Sequence, residues 1–249
     1  MTIELARRGL TAVLLDIEGT TTPISFVHDV LFSYARTHLR DYLERHDGSS
    51  ELNEVVRRLR DEHLADVSGG EQPPPLVLSD REPTLDSIAA YLTWLMDRDR
   101  KSPALKLLQG HIWERGYQAG ELRGQVYDDV APAIRRWRDH GIVVAIYSSG
   151  SELAQRRLFE STSHGDLTPL MSGFFDTGVG AKVEAGSYRR IAGALDRPVG
   201  QVLFVSDVSR ELQAACEAGL SVVLSLRPGN APQSDAGRYE QVTSFDQIR

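Results

Sequence analysis

LTAVLLDIEGTTTPI, residues 10–24, sets the reading of the whole chain: an apolar run ends in an Asp-x-Glu pair and then breaks into glycine and hydroxyl residues. Ala12, Val13, Leu14 and Leu15 show no alternating polar face, which predicts a strand covered on both sides, as in a parallel sheet between helices. Asp16 and Glu18 then stand at its carboxyl end. Residues two apart in an extended chain point the same way, so both carboxylates project into one small space beyond the sheet edge, where ligands of open α/β sheets bind. Paired carboxylates repel unless a cation or a shared proton offsets them, and hard oxygen donors suit Mg²⁺. Asp16 capping the next helix fits the same letters, so the pair needs partners from elsewhere in the chain.

Working outward, Val27, Val30, Leu31, Tyr34, Ala35, His38, Leu39, Tyr42 and Leu43 recur at steps of three and four, which predicts one helix with a broad buried face. Leu52, Val55, Val56, Leu59 and Leu64 predict a second. The glycines and prolines of SGGEQPPPLVLSDREP interrupt it. The helical period restarts at Leu85 with Thr84 as N-cap and continues through residues 104–118. Nothing from 25 to 125 alternates like a sheet, so this block reads as an all-helical module.

From Asp128 the texture becomes helix then strand, repeated: DDVAPAIRRWRDHG, IVVAIYSSGS, a helix from about Ser151, a loop with FFDTGVGAKVEAGSY, a helix through Tyr188 and Leu195, QVLFVSD, a helix from Ser209 to Glu217, and SVVLSL. Alternation of this kind predicts an α/β fold with a doubly wound parallel sheet and right-handed crossovers. Residues 1–24 and 126–249 form the expected α/β core, and 25–125 an inserted all-helical cap.

The 249 residues carry 28 basic and 35 acidic side chains, net −7, which leaves no electrostatic footprint for nucleic acid or an anionic membrane. The amino-terminal MTIELARRGL lacks a signal-peptide core, and the longest later apolar run, Ile142 to Tyr147, is too short to span a bilayer, so a soluble cytoplasmic protein is expected. The single Cys216 excludes intramolecular disulfides and a cysteine zinc cluster, and its helical context predicts a small buried residue. The seven histidines show no metal-ligand spacing.

Four expected strand ends carry polar residues suited to phosphate chemistry: Asp16 with Glu18, Ser148 with Ser149, Lys182, and Asp207 with Glu211 nearby. A serine at a strand end before Gly150 and a helix start offers a hydroxyl and backbone N–H groups to an anion. Lys182 offers a point charge beside a phosphate and an attacking carboxylate. Asp207 offers a third oxygen ligand for Mg²⁺. GVGAK lacks the spacing of a nucleotide phosphate loop, and no Gly-x-Gly-x-x-Gly follows the first strand, so nucleotide cofactors are not indicated.

Asp16, Ser148, Lys182 and Asp207, in that order, resemble the four motifs of the haloacid dehalogenase superfamily. DIEGTTTPISFVHDVLF, LQGHIWERGYQAGELRGQVYDDV, YSSGS and FVSDVSRE resemble, more specifically, the enolase-phosphatase (acireductone synthase) family of methionine salvage, in which Glu18 stands where most superfamily phosphatases have Asp. The resemblance covers most of the chain. It implies a small phosphorylated diketone as substrate, 2,3-diketo-5-methylthiopentyl-1-phosphate, enolised and then dephosphorylated to an acireductone. It further implies Mg²⁺ on Asp16, Glu18 and Asp207, with the Glu18 contact made by side chain or backbone carbonyl, and phosphate on Ser148, Ser149 and Lys182. Asp16 is then the nucleophile of an aspartyl-phosphate mechanism, Glu18 and Lys182 assist it, and Glu211 orients a water from behind. Glu18 and Glu184 are the candidate enolisation bases. Phe26, Trp94, Trp113 and Tyr117 either line a pocket for the methylthio tail or pack the cap. A monomer is expected. A general Mg²⁺-dependent phosphatase of the superfamily is the alternative; a receiver-like phosphoacceptor is too short and lacks the helical insertion.

Overall fold

The opening apolar run forms β1 (Ala12–Leu15), and all four side chains are fully buried. Burial of each Val or Leu contributes about 1.5–3 kcal/mol, so this strand anchors the core. The computed structural model describes residues 2–79 and 82–249. Two units result: the amino-terminal residues to Asp29 with Gly120–Arg249, and Val30–Ala119.

The second unit is built on α1 (Ser33–Arg45), α2 (Ser50–Ser68), α3 (Leu85–Asp97) and α4 (Pro103–Gln118). Ser49, Thr84 and Ser102 cap α2, α3 and α4 by accepting from backbone N–H groups three residues on. The expected single helix from Val27 instead begins with a π-helical segment, Phe26–Phe32, before tightening into α1. Two very short strands, β2 (Leu78–Ser79) and β3 (Glu82–Pro83), pair antiparallel after the proline run, so the module is helical with one added ribbon. Leu64, expected on a buried face, is exposed. Trp113 is buried; its indole N–H donates to Leu31 O at 2.7 Å and its ring stacks on Phe32. Tyr91 donates to the buried Asp66 at 2.7 Å, and Arg100 pairs with the same carboxylate.

In the first unit the chain continues through α5 (Val130–Asp139), β4 (Val143–Tyr147), α6 (Glu152–Glu160), β5 (Gly173–Phe175), α7 (Ala185–Ala194), β6 (Val202–Ser206), α8 (Ser209–Ala218), β7 (Ser221–Ser225) and β8 (Glu240–Val242). The sheet order is β5-β4-β1-β6-β7-β8 with every pairing parallel, which is the doubly wound sheet that the alternation predicts. β1 lies between β4 and β6, with Leu15 in register with Ile146 and Val205. The residues that follow β1, β4 and β6 therefore emerge side by side at one edge. The three-residue β8 was not expected from periodicity. Cys216 corrects the reading of a buried thiol: Ala214 and Ala215 turn toward the core and Cys216, one step further around α8, is exposed. Among the described residues no helix is long and apolar enough to cross a membrane.

A buried ion pair closes this unit. Arg227 donates to Asp129 through Nη1 at 3.1 Å and Nη2 at 2.8 Å, to Thr243 O, and through Nε to Thr20 O. The Phe245 N–H also donates to Asp129. Burial works to raise the Asp129 pKa, but the Arg227 and Phe245 hydrogen bonds outweigh it and hold the carboxyl below its ordinary value. A depressed folded-state pKa contributes stability that is complete above the unfolded value, about 3.9, and is lost as pH falls through the folded value. Urea unfolding followed from pH 6 downward should therefore show a loss of stability below about pH 4 that is smaller in Asp129→Asn. An identical acid profile in the variant removes Asp129 from the account.

Candidate active site

Asp16 follows β1 directly and is 4% exposed. Its Oδ1 accepts from the Lys182 ammonium at 2.6 Å and from the Ile17 N–H at 2.7 Å. Lys182 lies outside any helix or strand, yet its side chain is only 11% exposed, because Nζ also meets Glu211 Oε2 at 2.6 Å. Burial disfavours the Lys182 charge, but Asp16 and Glu211 more than offset this and lift the ammonium above the ordinary lysine range. Ser206, the last residue of β6, is fully buried with Oγ 3.3 Å from Asp16 Oδ2 and 3.0 Å from Glu211 Oε2. A hydroxyl has one proton, so it donates to one carboxylate at a time while accepting from the Val208 N–H.

Asp207 is buried beside this network and packs on Gly19. A Cβ at Gly19 would meet Asp207 Oδ2 at 2.4 Å and Asn230 Oδ1 at 2.8 Å, and the local φ of +67° also favours glycine. The Gly19 of the opening stretch is thus the floor on which Asp207 rests. Burial, Asp16 and Glu211 push Asp207 up to about 7; burial and Asp16 push Glu211 upward as well, with Lys182 offsetting part. With one ammonium among them, ionisation of all three carboxylates leaves surplus negative charge.

Glu18 stands within reach of the Asp16 and Lys182 charges and carries an ion-pair partner of its own. It is half-buried, turned to His28 Nε2 at 3.0 Å, and burial followed by the Asp16 charge pushes it upward while His28 offsets part. Ser148, after β4, is buried with Oγ accepting from the Gly150 N–H; Ser149 is exposed. Ser151 caps α6 by accepting from the Ala154 N–H, so the amino end of α6 follows the serine turn immediately. Glu184 is exposed at the start of α7. Phe26 is buried in the first unit, whereas Trp94 and Trp113 are buried in the helical one.

Among the described residues no three His, Cys, Asp or Glu side chains are arranged to hold a metal ion on their own. The donor set nevertheless fits a hard divalent cation: the surplus charge is carried by oxygen alone, and Mg²⁺ takes one or two carboxylates together with substrate oxygens and water rather than a full protein cage. Asn230 adds an acceptor on the same floor. Its Nδ2 donates to Gly19 O and Ser225 O, and among the described residues its buried Oδ1 has no hydrogen-bond partner.

Residues 10–219 match the family model of haloacid dehalogenase-like hydrolases. Over 242 residues the chain is 47% identical to the enolase-phosphatase E1 of Synechococcus elongatus, covering 96% of this chain and 98% of that protein. The chain belongs to the enolase-phosphatase E1 family. A Populus trichocarpa protein named as a probable bifunctional methylthioribulose-1-phosphate dehydratase/enolase-phosphatase E1 is 46% identical over 95% of this chain, which spans 46% of that longer protein. The crystal structure of the Saccharomyces cerevisiae UTR4 protein superposes with a TM-score of 0.75 at 32% identity, covering 95% of this chain and 99% of that one.

Within this enolase-phosphatase fold, Ser206 and Asn230 escaped the sequence reading. Ser206 looks like the last letter of an apolar strand, and a polar residue at that place in VLFVSD was its only signal. Asn230 lies in a loop of ordinary turn residues and carried none. Glu211 holds Lys182 and Ser206 directly, a contact that the letters did not reveal.

Proposed function

We propose that the chain is a bifunctional enolase-phosphatase that converts 2,3-diketo-5-methylthiopentyl-1-phosphate to the acireductone 1,2-dihydroxy-3-keto-5-methylthiopentene and phosphate, a step of methionine salvage, acting as a cytoplasmic monomer. The observation that carries the phosphatase chemistry is Lys182 held at 2.6 Å from both Asp16 and Glu211. A lysine so paired stays charged and lowers the repulsion between a carboxylate and an incoming phosphate.

In this reading Asp16 attacks phosphorus in line, forming the Asp16 O–P bond as the bond to the leaving oxygen breaks, and water then hydrolyses the acyl phosphate. Ser148, Ser149 and the backbone N–H groups entering α6 receive the phosphoryl oxygens. Glu18 takes the proton from carbon during enolisation, gives it to the leaving oxygen, accepts one from the hydrolytic water, and passes that proton to the enolate oxygen of the product, which returns Glu18 to the carboxylate. Its place two residues after Asp16 favours it over the exposed Glu184. Asp16 and Asp207, with Glu18 through its side chain or its backbone carbonyl, would hold Mg²⁺, which when bound supplies Lewis-acid neutralisation of phosphoryl charge.

Incubation with the diketo phosphate and Mg²⁺, following enol absorbance and free phosphate together, should show enol formation and stoichiometric phosphate release, with sugar phosphates turned over far more slowly. Enol signal without phosphate, or equal turnover of a sugar phosphate, would overturn the assignment.

A further inference from the structure

We infer that Tyr147, Ser187 and Tyr188 form a positioning device for Lys182, an inference that rests on the role of Lys182 in the proposed reaction. The loop that carries Lys182 has no ladder of its own to fix it, yet three successive carbonyls in it are each taken by a buried hydroxyl. Tyr147 Oη donates to Gly180 O at 2.8 Å, Ser187 Oγ to Ala181 O at 2.8 Å, and Tyr188 Oη to Lys182 O at 2.6 Å. All three donors are fully buried.

The hydroxyls are themselves rigidly held. The Tyr147 and Tyr188 rings meet edge to face at 5.5 Å between centroids, and Tyr188 lies 5.0 Å from Phe204 of β6. Tyr147 comes from β4, one residue before Ser148, and the other two come from the first turn of α7. Gly180 lets the loop approach this closely, since a Cβ there would lie 2.3 Å from both Ser187 Oγ and Arg190 Nη2. A buried tyrosine generally finds some acceptor, so one such bond would mean little. Three on consecutive carbonyls, ending on the lysine, fix the backbone from which Nζ reaches Asp16 and Glu211. An error of about 1 Å in such a group costs up to about 100-fold in rate, so this backbone is where preorganisation is built.

The test is Tyr188→Phe, alone and with Tyr147→Phe, each made in the parent chain and in Lys182→Met. The phenylalanines keep the rings and remove only the hydroxyls. With the diketo phosphate and Mg²⁺, kcat/KM of the double tyrosine variant should fall about 10- to 100-fold, and competitive inhibition by inorganic phosphate should weaken in parallel. In the Lys182→Met background the same changes should cost less than about twofold, because a device that acts through Lys182 has nothing left to act on. Equal losses in both backgrounds, or parent-like kinetics and phosphate inhibition in Tyr188→Phe when Lys182→Met is inactive, overturn this inference alone. Parent-like activity in Lys182→Met overturns the functional reading and this inference with it. Should the double variant fail to fold, the single Tyr188→Phe comparison decides by the same criteria.

Discussion

Asp16→Asn is expected to release phosphate at least about 10³-fold more slowly than the parent chain while melting at the same temperature or above it. The rate falls because an amide is no nucleophile toward phosphorus. The fold survives because the network closes around the amide. Asn Oδ1 can still accept from Lys182 and the Ile17 N–H, and Asn Nδ2 can donate to Ser206 Oγ, which also accepts from Val208 and donates to Glu211. Neutralising Asp16 also removes one of the charges that push Asp207 and Glu211 upward, relieving repulsion in the folded state. Phosphate release and a thermal melt on the same preparation check both halves. Near-normal turnover would sink the nucleophile assignment, and a collapsed melt would show that the carboxylate is needed for folding.

Arg227→Met should lower stability by about 3–5 kcal/mol, measured by urea unfolding. Arg227 is 4% and Asp129 13% exposed at the side chain, so removal of the guanidinium leaves a buried carboxylate with the neutral Phe245 N–H and Ser244 donors in place of its cation. Thr20 O and Thr243 O lose their donor as well. The pair itself is a weak stabiliser relative to apolar side chains of similar volume, so Arg227→Met combined with Asp129→Leu should recover part of the loss, though not the orphaned carbonyls. Because Thr20 lies in the turn after Glu18, activity should fall in the single variant even where it remains folded. A single variant as stable as the parent would mean that the pair does not close the unit.

These two residues show where legibility ended. Asp16 was readable because a buried strand has to end in solvent or a site, and a carboxylate pair there is costly unless used. Arg227 was not, because Asp129 lies 98 residues away and nothing in either neighbourhood names the other. The Ser49, Thr84, Ser102 and Ser151 caps depend on neighbours three residues off, and Thr84 and the start at Ser151 were accordingly visible in the letters. Cys216 went the other way: a helical pattern said apolar neighbourhood, and only the rotation of α8 against the sheet said which side faced water.

Local periodicity and the order of strand ends were enough to predict a parallel α/β core and a helical segment after the first strand, and to single out Asp16, Ser148, Lys182 and Asp207 as candidate positions. Those properties follow from side-chain burial along short stretches, which neighbouring residues express. The strand order that sets β1 between β4 and β6, the double grip on Lys182, the shared proton of Ser206 and the Gly19 floor beneath Asp207 came only with the tertiary structure. They are pairings between residues far apart in the chain, chosen by how the sheet assembles, and no single stretch of sequence contains both partners.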